Sequence, residues 1–128
     1  MALLPERDIL LDAADLALMR TTLRVVHDNY GVLDEVALEC KPEELRGLQE
    51  KLAEGKTTKD GMIVRLSEAD MHALGRVAFF AADTYEWLPF NGQPTMQELE
   101  DLDLRWTATQ DRHFPEHARA GKSLFKRD

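Results

Sequence analysis

The chain has 128 residues, of which 44% are apolar and 31% are charged. This length fits one globular domain, and the apolar fraction excludes disorder of the whole chain. The formal charge of −8 is unevenly divided, because residues 1–111 carry 11 basic and 22 acidic side chains whereas residues 112–128 carry five basic and two acidic ones. We therefore expect a single acidic domain over residues 1–111 and a basic, partly flexible tail over residues 112–128.

Three further features predict a cytoplasmic protein. No run of 18 apolar residues occurs, so we expect no membrane span, and the first eight residues lack the basic flank and apolar stretch of a signal peptide. Cys40 is the single cysteine, which fits a reducing compartment and excludes a cysteine-based zinc site. Ten arginines against six lysines favour a bacterial source.

The first half of the chain predicts two strands, each followed by a helix. Apolar side chains over residues 9–11 predict a strand, and Asp12 is a helix cap followed by one buried stripe: Leu16, Met19, Leu23, Val26 and Tyr30. Residues 36–40 predict a second strand that ends in Cys40 as a small buried side chain. The next helix follows Lys41, a poor cap, and we expect it on the outside because its apolar stripe is narrow: Leu45, Leu48 and Leu52.

The second half predicts one more strand and two helices. We expect no strand between Glu54 and Thr58, and therefore no hairpin at the turn that follows. Residues 62–66 predict a strand, and Ser67 caps a helix with apolar residues on two faces: Met71, Leu74, Ala78, Ala81 and Tyr85, then Val77, Phe80, Thr84 and Trp87. Such a helix is either central or covered by a partner. Thr95 caps a fourth helix that buries Leu99, Leu102 and Trp106 and turns its acidic residues outward.

These elements predict an α+β, mainly helical fold: a small two- or three-stranded sheet packed by four helices, with an all-α bundle as the alternative. Strand direction is left open. Residues 11–30 and 66–85 share Leu, Ala, Asp, Asp and Tyr at an offset of 55 positions. An internal repeat is therefore a hypothesis, although capping boxes also recur in unrelated helices.

Signatures of known catalytic and cofactor sites are absent, because no glycine-rich phosphate loop, nucleophile elbow or HExxH motif occurs. We expect no cofactor and no metal, since His113 and His117 are separated by Pro115 and lack further ligands. The best enzyme candidate is a cleft containing Asp28, Asp83, His27 or His72. The sequence favours a non-enzymatic role over this one.

The acidic body predicts a protein-interaction module, such as an inhibitor, an immunity protein or an accessory subunit, that binds a partner with a basic surface. The predicted partner-binding residues are acidic side chains and apolar anchors of the tail: Glu86, Glu98, Glu100, Asp101, Asp103, Phe114, Leu124 and Phe125. The alternatives are the small enzyme or ligand-binding domain and a nucleic-acid mimic. Direct binding of nucleic acid is disfavoured by the acidic charge, and homo-oligomers are left open.

Overall fold

A computed structural model describes residues 6–30 and 40–114. Its elements in chain order are β1 (Glu6–Leu11), α1 (Ala13–Asp28), α2 (Pro42–Ala53), β2 (Lys56–Thr58), β3 (Gly61–Ser67), α3 (Glu68–Asp83), a 3₁₀ helix (Tyr85–Trp87) and α4 (Met96–His113). Residues 36–39 of the second predicted strand and residues 115–128 of the predicted tail lie outside the described residues. Cys40 is described, is buried, and lies in no strand.

The sheet is antiparallel, with β3 in the centre and the order β1-β3-β2. Ile9, Leu11, Val64 and Leu66 are buried on the face that the helices cover. Asp8, Leu10 and Arg65 alternate with them and are exposed. This alternation is typical of an antiparallel sheet with one face in solvent.

The prediction that no strand lies between Glu54 and Thr58 was wrong. The three residues of β2 pair with β3 through the register Lys56↔Ile63, Thr57↔Met62 and Thr58↔Gly61. The sequence offers no apolar alternation for this strand, because Lys56, Thr57 and Thr58 are all polar, and two of the three are exposed. It is an edge strand held by backbone pairing and by a turn in which the Thr58 hydroxyl donates to the Gly61 carbonyl over 3.1 Å.

The helices and the sheet together confirm the α+β, mainly helical prediction, and the three-stranded sheet excludes the all-α alternative. Helical residues make up 66% of the described chain. The helix α3 is central, since it contacts α1, α4 and β3 and buries Met71, Leu74, Val77, Ala78, Phe80 and Ala81. The predicted cover on its second face is incomplete, because Trp87 is 79% exposed.

The helix starts follow the predicted caps. Ser67 Oγ accepts from the Asp70 N–H over 3.1 Å while the Asp70 carboxylate accepts from the Ser67 N–H over 3.0 Å. Thr95 and Glu98 form the same reciprocal pair. At Lys41 only the Glu44 carboxylate contributes, because an ammonium group has no acceptor to offer a backbone donor.

The two halves of the described chain match in the order of their main elements, a strand followed by two helices. The helices α1 and α3 each have 16 residues, and their N-caps (Asp12 and Ser67) and C-caps (Asn29 and Thr84) are 55 positions apart. In the sheet, Ile9 of β1 pairs with Val64 of β3, which is its own equivalent at this offset. When a residue pairs antiparallel with its own equivalent, a local two-fold axis passes between the two residues. The register therefore relates the halves by a pseudo-two-fold axis between Ile9 and Val64.

The repeat extends to α2 and α4 at an offset of 54 positions. Their buried apolar residues correspond: Leu45 to Leu99, Leu48 to Leu102, and Leu52 to Trp106, while α4 also buries Thr109 and Gln110 beyond the length of α2. In each half a tyrosine hydroxyl donates over 2.6 Å to the carbonyl that precedes the helix cap, Tyr30 to Cys40 and Tyr85 to Pro94. These correspondences support the internal-repeat hypothesis, and they give the positions of α1 and α2 counterparts in α3 and α4.

Candidate interaction groove

Exposed large apolar side chains concentrate on one surface. Five are exposed in the described chain, and four of them line a single groove: Phe79, Trp87, Met96 and Leu104. Their exposed fractions are 60%, 79%, 38% and 71%. Four carboxylates share this groove, Asp83, Glu86, Glu100 and Asp103, and Ala82 and Tyr85 complete it. We call it the acidic groove, and its volume is about 570 Å³.

The groove lies between the end of α3 and the start of α4, and the packing of these two helices determines its position. The indole N–H of Trp106, late in α4, donates to the Met71 carbonyl, early in α3, over 2.9 Å. The helices are therefore antiparallel. A Cβ at Gly75 would lie 3.3 Å from Trp106 Cδ1, so the glycine lets the indole lie close to α3.

The connection between the two helices positions Trp87. Tyr85 stacks on Phe90 with ring centroids 5.1 Å apart, and its hydroxyl bonds to the Pro94 carbonyl. Phe90 and Leu88 are buried in the core. The 3₁₀ helix is thus held at both ends, and it presents Glu86 and Trp87 to solvent beside α4.

The electrostatics of the groove are one-sided. No lysine, arginine or histidine is among the described residues that line it. Burial raises the pKa of the Asp103 carboxyl above its ordinary value, which means that its charge is partly desolvated without a compensating cation. The last turn of α3 also contains no basic residue, and it ends in Asp83 at the negative end of the helix dipole.

The internal repeat shows whether folding needs the groove residues of α3 and α4, because these can be compared with the residues at their counterpart positions in the first half. At the counterpart positions, Arg24 corresponds to Phe79, Arg46 to Glu100, Gln49 to Asp103 and Glu50 to Leu104. Arg24, Arg46 and Glu50 are exposed, and the first half adopts the same strand-helix-helix arrangement with them. The fold therefore does not require an apolar, acidic surface at these positions.

The structure divides the predicted acidic residues into two groups. Glu86, Glu100 and Asp103 line the acidic groove. Glu98 and Asp101 lie on another surface of α4 with Arg105, whose guanidinium pairs with Asp15 over 2.9 Å. Glu98 serves as the capping partner of Thr95, and Asp101 accepts from the Gln97 amide over 3.0 Å. Local contacts thus account for the second group.

Phe114, predicted as an apolar anchor of the tail, lies in the buried core of the described residues. Phe114 is 2% exposed, and the Arg7 guanidinium carbon lies 4.7 Å from its ring centroid. Arg7 also donates to the His113 carbonyl, so the end of α4 is attached to β1. The helix extends through Arg112 and His113, which the sequence placed in the tail. Leu124 and Phe125 lie outside the described residues.

The alternative catalytic residues are not brought together in this groove. It contains Asp83 but not Asp28, His27 or His72. His27 contacts its neighbour Asp28 over 3.3 Å, and His72 lies 2.7 Å from an Arg76 nitrogen. Within residues 6–30 and 40–114, no group of three or more His, Cys, Asp or Glu side chains is placed to hold a metal ion. None of the helices described there is long and apolar enough to cross a membrane.

Sequence reasoning missed the apolar part of the groove. Phe79 follows the buried Ala78 and precedes the buried Phe80 but is itself exposed, since consecutive residues lie about 100° apart around a helix. Leu104 falls outside the stripe of Leu99, Leu102 and Trp106. A search for apolar residues outside each buried stripe could have identified these two. Trp87 gave no such signal, because the 3₁₀ helix changes the helical periodicity on which its predicted burial depended.

No protein-family model matches this chain, and neither a curated protein nor a solved structure matches it.

Proposed function

We propose that this protein is an interaction module that binds a partner protein with a basic surface through the acidic groove. The observation that carries the proposal is the clustering of four of the five exposed large apolar side chains among four carboxylates. Apolar anchors surrounded by charges are the usual anatomy of a protein interface, in which the apolar centre supplies affinity and the charges supply orientation and association rate.

Charge decides which class of partner suits the groove. A second copy of the same surface would bring two sets of carboxylates together, which is unfavourable in a partly desolvated interface. A basic partner would instead supply the cations that the groove lacks. An inhibitor, an immunity protein or an accessory subunit would each use such a surface, and a chain with one cysteine, the buried Cys40, suits a cytoplasmic location.

The proposal is tested by affinity capture from a native lysate with three forms of the full chain. The first is the natural protein, and the second combines Phe79→Arg with Leu104→Glu, which copies Arg24 and Glu50 of the other half. The third, a control, combines Arg24→Gln with Glu50→Gln, and neither double variant changes the net charge. We expect a protein that the natural and control forms retain and the groove variant loses.

The captured protein is then purified and titrated into each form while Trp87 emission is followed. Saturable binding to the natural and control forms, weakened at least about tenfold in the groove variant, would support the proposal. Equal binding to all three forms would contradict it.

A further inference from the structure

The walls of the acidic groove are entirely helical. Its lining residues belong to α3, the 3₁₀ helix and α4, so no strand edge is offered to an extended segment of a partner. On α4, Met96, Glu100 and Leu104 follow one another at intervals of four residues and form one ridge. On α3, Phe79 and Asp83 form a similar ridge at the same interval. Two neighbouring ridges leave a channel of the shape that the side chains of a third helix fill.

The length of the channel limits the size of its occupant. Met96 and Leu104 are eight residues apart, which corresponds to about 12 Å along α4. A partner helix in the channel would therefore make contact over roughly two turns, enough for two apolar anchors four residues apart.

Charge determines what the flanks of that helix carry. The last turn of α3 lacks a basic residue and ends in Asp83, and Asp103 is partly desolvated beside the apolar Leu104. A lysine or arginine near the end of α3 would be stabilised by both the helix dipole and the carboxylate. A second cation farther along the channel would face Asp103.

We infer that the acidic groove receives a basic amphipathic α-helix of the partner protein, with apolar side chains against Phe79 and Leu104 and lysines or arginines beside Asp83 and Asp103. This inference rests on the proposed function, since it specifies what the groove binds. It is the helix-in-groove mode of recognition, in which the spacing of the anchors gives specificity.

Three synthetic peptides of identical composition, built from leucine and lysine with one proline each, test the helix directly. One has helical amphipathic spacing with proline at its first position, one alternates leucine and lysine, and one has helical spacing with proline at its centre. Each is titrated into the full chain in about 0.15 M salt, which screens nonspecific attraction beyond about 8 Å. Trp87 emission reports binding because Trp87 is exposed, while Trp106 is buried and supplies a constant background.

We expect saturable binding and a blue shift with the helical peptide, at least about tenfold stronger than with the other two and lost in the Phe79→Arg, Leu104→Glu variant. A Trp87→Phe chain should show no spectral change. Equal affinity for all peptides, or none for the helical one, would overturn the inference, as would a free chain in which Trp87 already emits as a buried indole. If the purified partner still requires the groove residues, the proposed function stands and only the helix is wrong.

Discussion

Trp106 and Met71 are joined by a buried hydrogen bond of 2.9 Å from the indole N–H to the backbone carbonyl. The bond connects the second half of α4 to the first turns of α3, and Trp106 is also the largest fully buried side chain of the described core. Because this contact aligns the two helices, it also determines which apolar residues meet at the other end. The groove is only in part a consequence of this contact, since the tyrosine-anchored connection positions Trp87 itself.

The first prediction concerns this contact. Trp106→Phe should lower the free energy of unfolding by about 2 kcal/mol or more, because it removes a hydrogen bond and leaves a cavity in the core. Leu104→Ala, on the exposed side of the same helix, should change it by less than about 0.5 kcal/mol. Urea unfolding measures both. Equal midpoints would show that the indole does not hold the helix pair together.

The second prediction concerns the helix caps. Ser67→Ala and Thr95→Ala should each lower the free energy of unfolding by about 1 kcal/mol, because each removes an acceptor for a backbone N–H of the first turn. Lys41→Ala should have little effect, since its side chain caps nothing. A loss at position 41 as large as that at position 67 in thermal or urea unfolding would contradict the assignment.

The third prediction uses the repeat as a guide to tolerated substitutions. Phe79→Arg and Leu104→Glu each introduce the residue type found at the counterpart position, and both sites are exposed. We expect the free energy of unfolding to change by less than about 0.5 kcal/mol in each case. Leu74→Ala, in the buried face of α3, should lower it by about 2–5 kcal/mol. Urea unfolding measures all three variants. A large loss of stability in Phe79→Arg or Leu104→Glu would show that these residues serve the fold.

The fourth prediction follows from the raised pKa of Asp103. The folded state holds this proton at a higher pH than the unfolded state does, so ionisation of Asp103 reduces stability as pH rises from the unfolded pKa through the folded one. Asp103→Asn should therefore raise the melting temperature at pH 7, and the gain should disappear as pH falls below about 4. A gain of the same size at both pH values would contradict a desolvated carboxylate.

Much of the fold could be predicted from the sequence because its signals are local. The caps at Asp12, Ser67 and Thr95 and the leucine stripe of α2 depend on spacing along one helix, and the structure places each as expected. The register of β1 on β3 could not be predicted in this way. It joins residues about 55 positions apart, and the pseudo-two-fold pairing of Ile9 with Val64 becomes visible only once the strands are assembled.

The candidate site was predicted only in part, because it too depends on how distant parts of the chain pack together. Acidic residues of α4 were identified from composition, but composition does not distinguish Asp103, in the groove, from Asp101, beside Gln97 and Arg105. The distinction depends on how α4 is rotated about its own axis relative to α3, which decides the residues of α4 that face the groove. The sequence places Phe114 in the tail because the charge turns basic at Arg112 and polar residues separate Phe114 from the next apolar ones. Its contact with Arg7, however, comes from β1, at the opposite end of the described chain.

The central claim is tested most directly by the rate at which the purified partner associates with the groove as ionic strength is varied. Glu100→Gln with Asp103→Asn removes two groove carboxylates, and Glu43→Gln with Glu50→Gln removes two exposed carboxylates from α2 as a matched control. For the natural and control forms, we predict a rate that falls steeply with added salt, and for the groove form a slower rate with a flatter dependence, because steering comes from the charges nearest the interface. The same salt dependence in all three forms would contradict the claim that the acidic groove is where a basic partner binds.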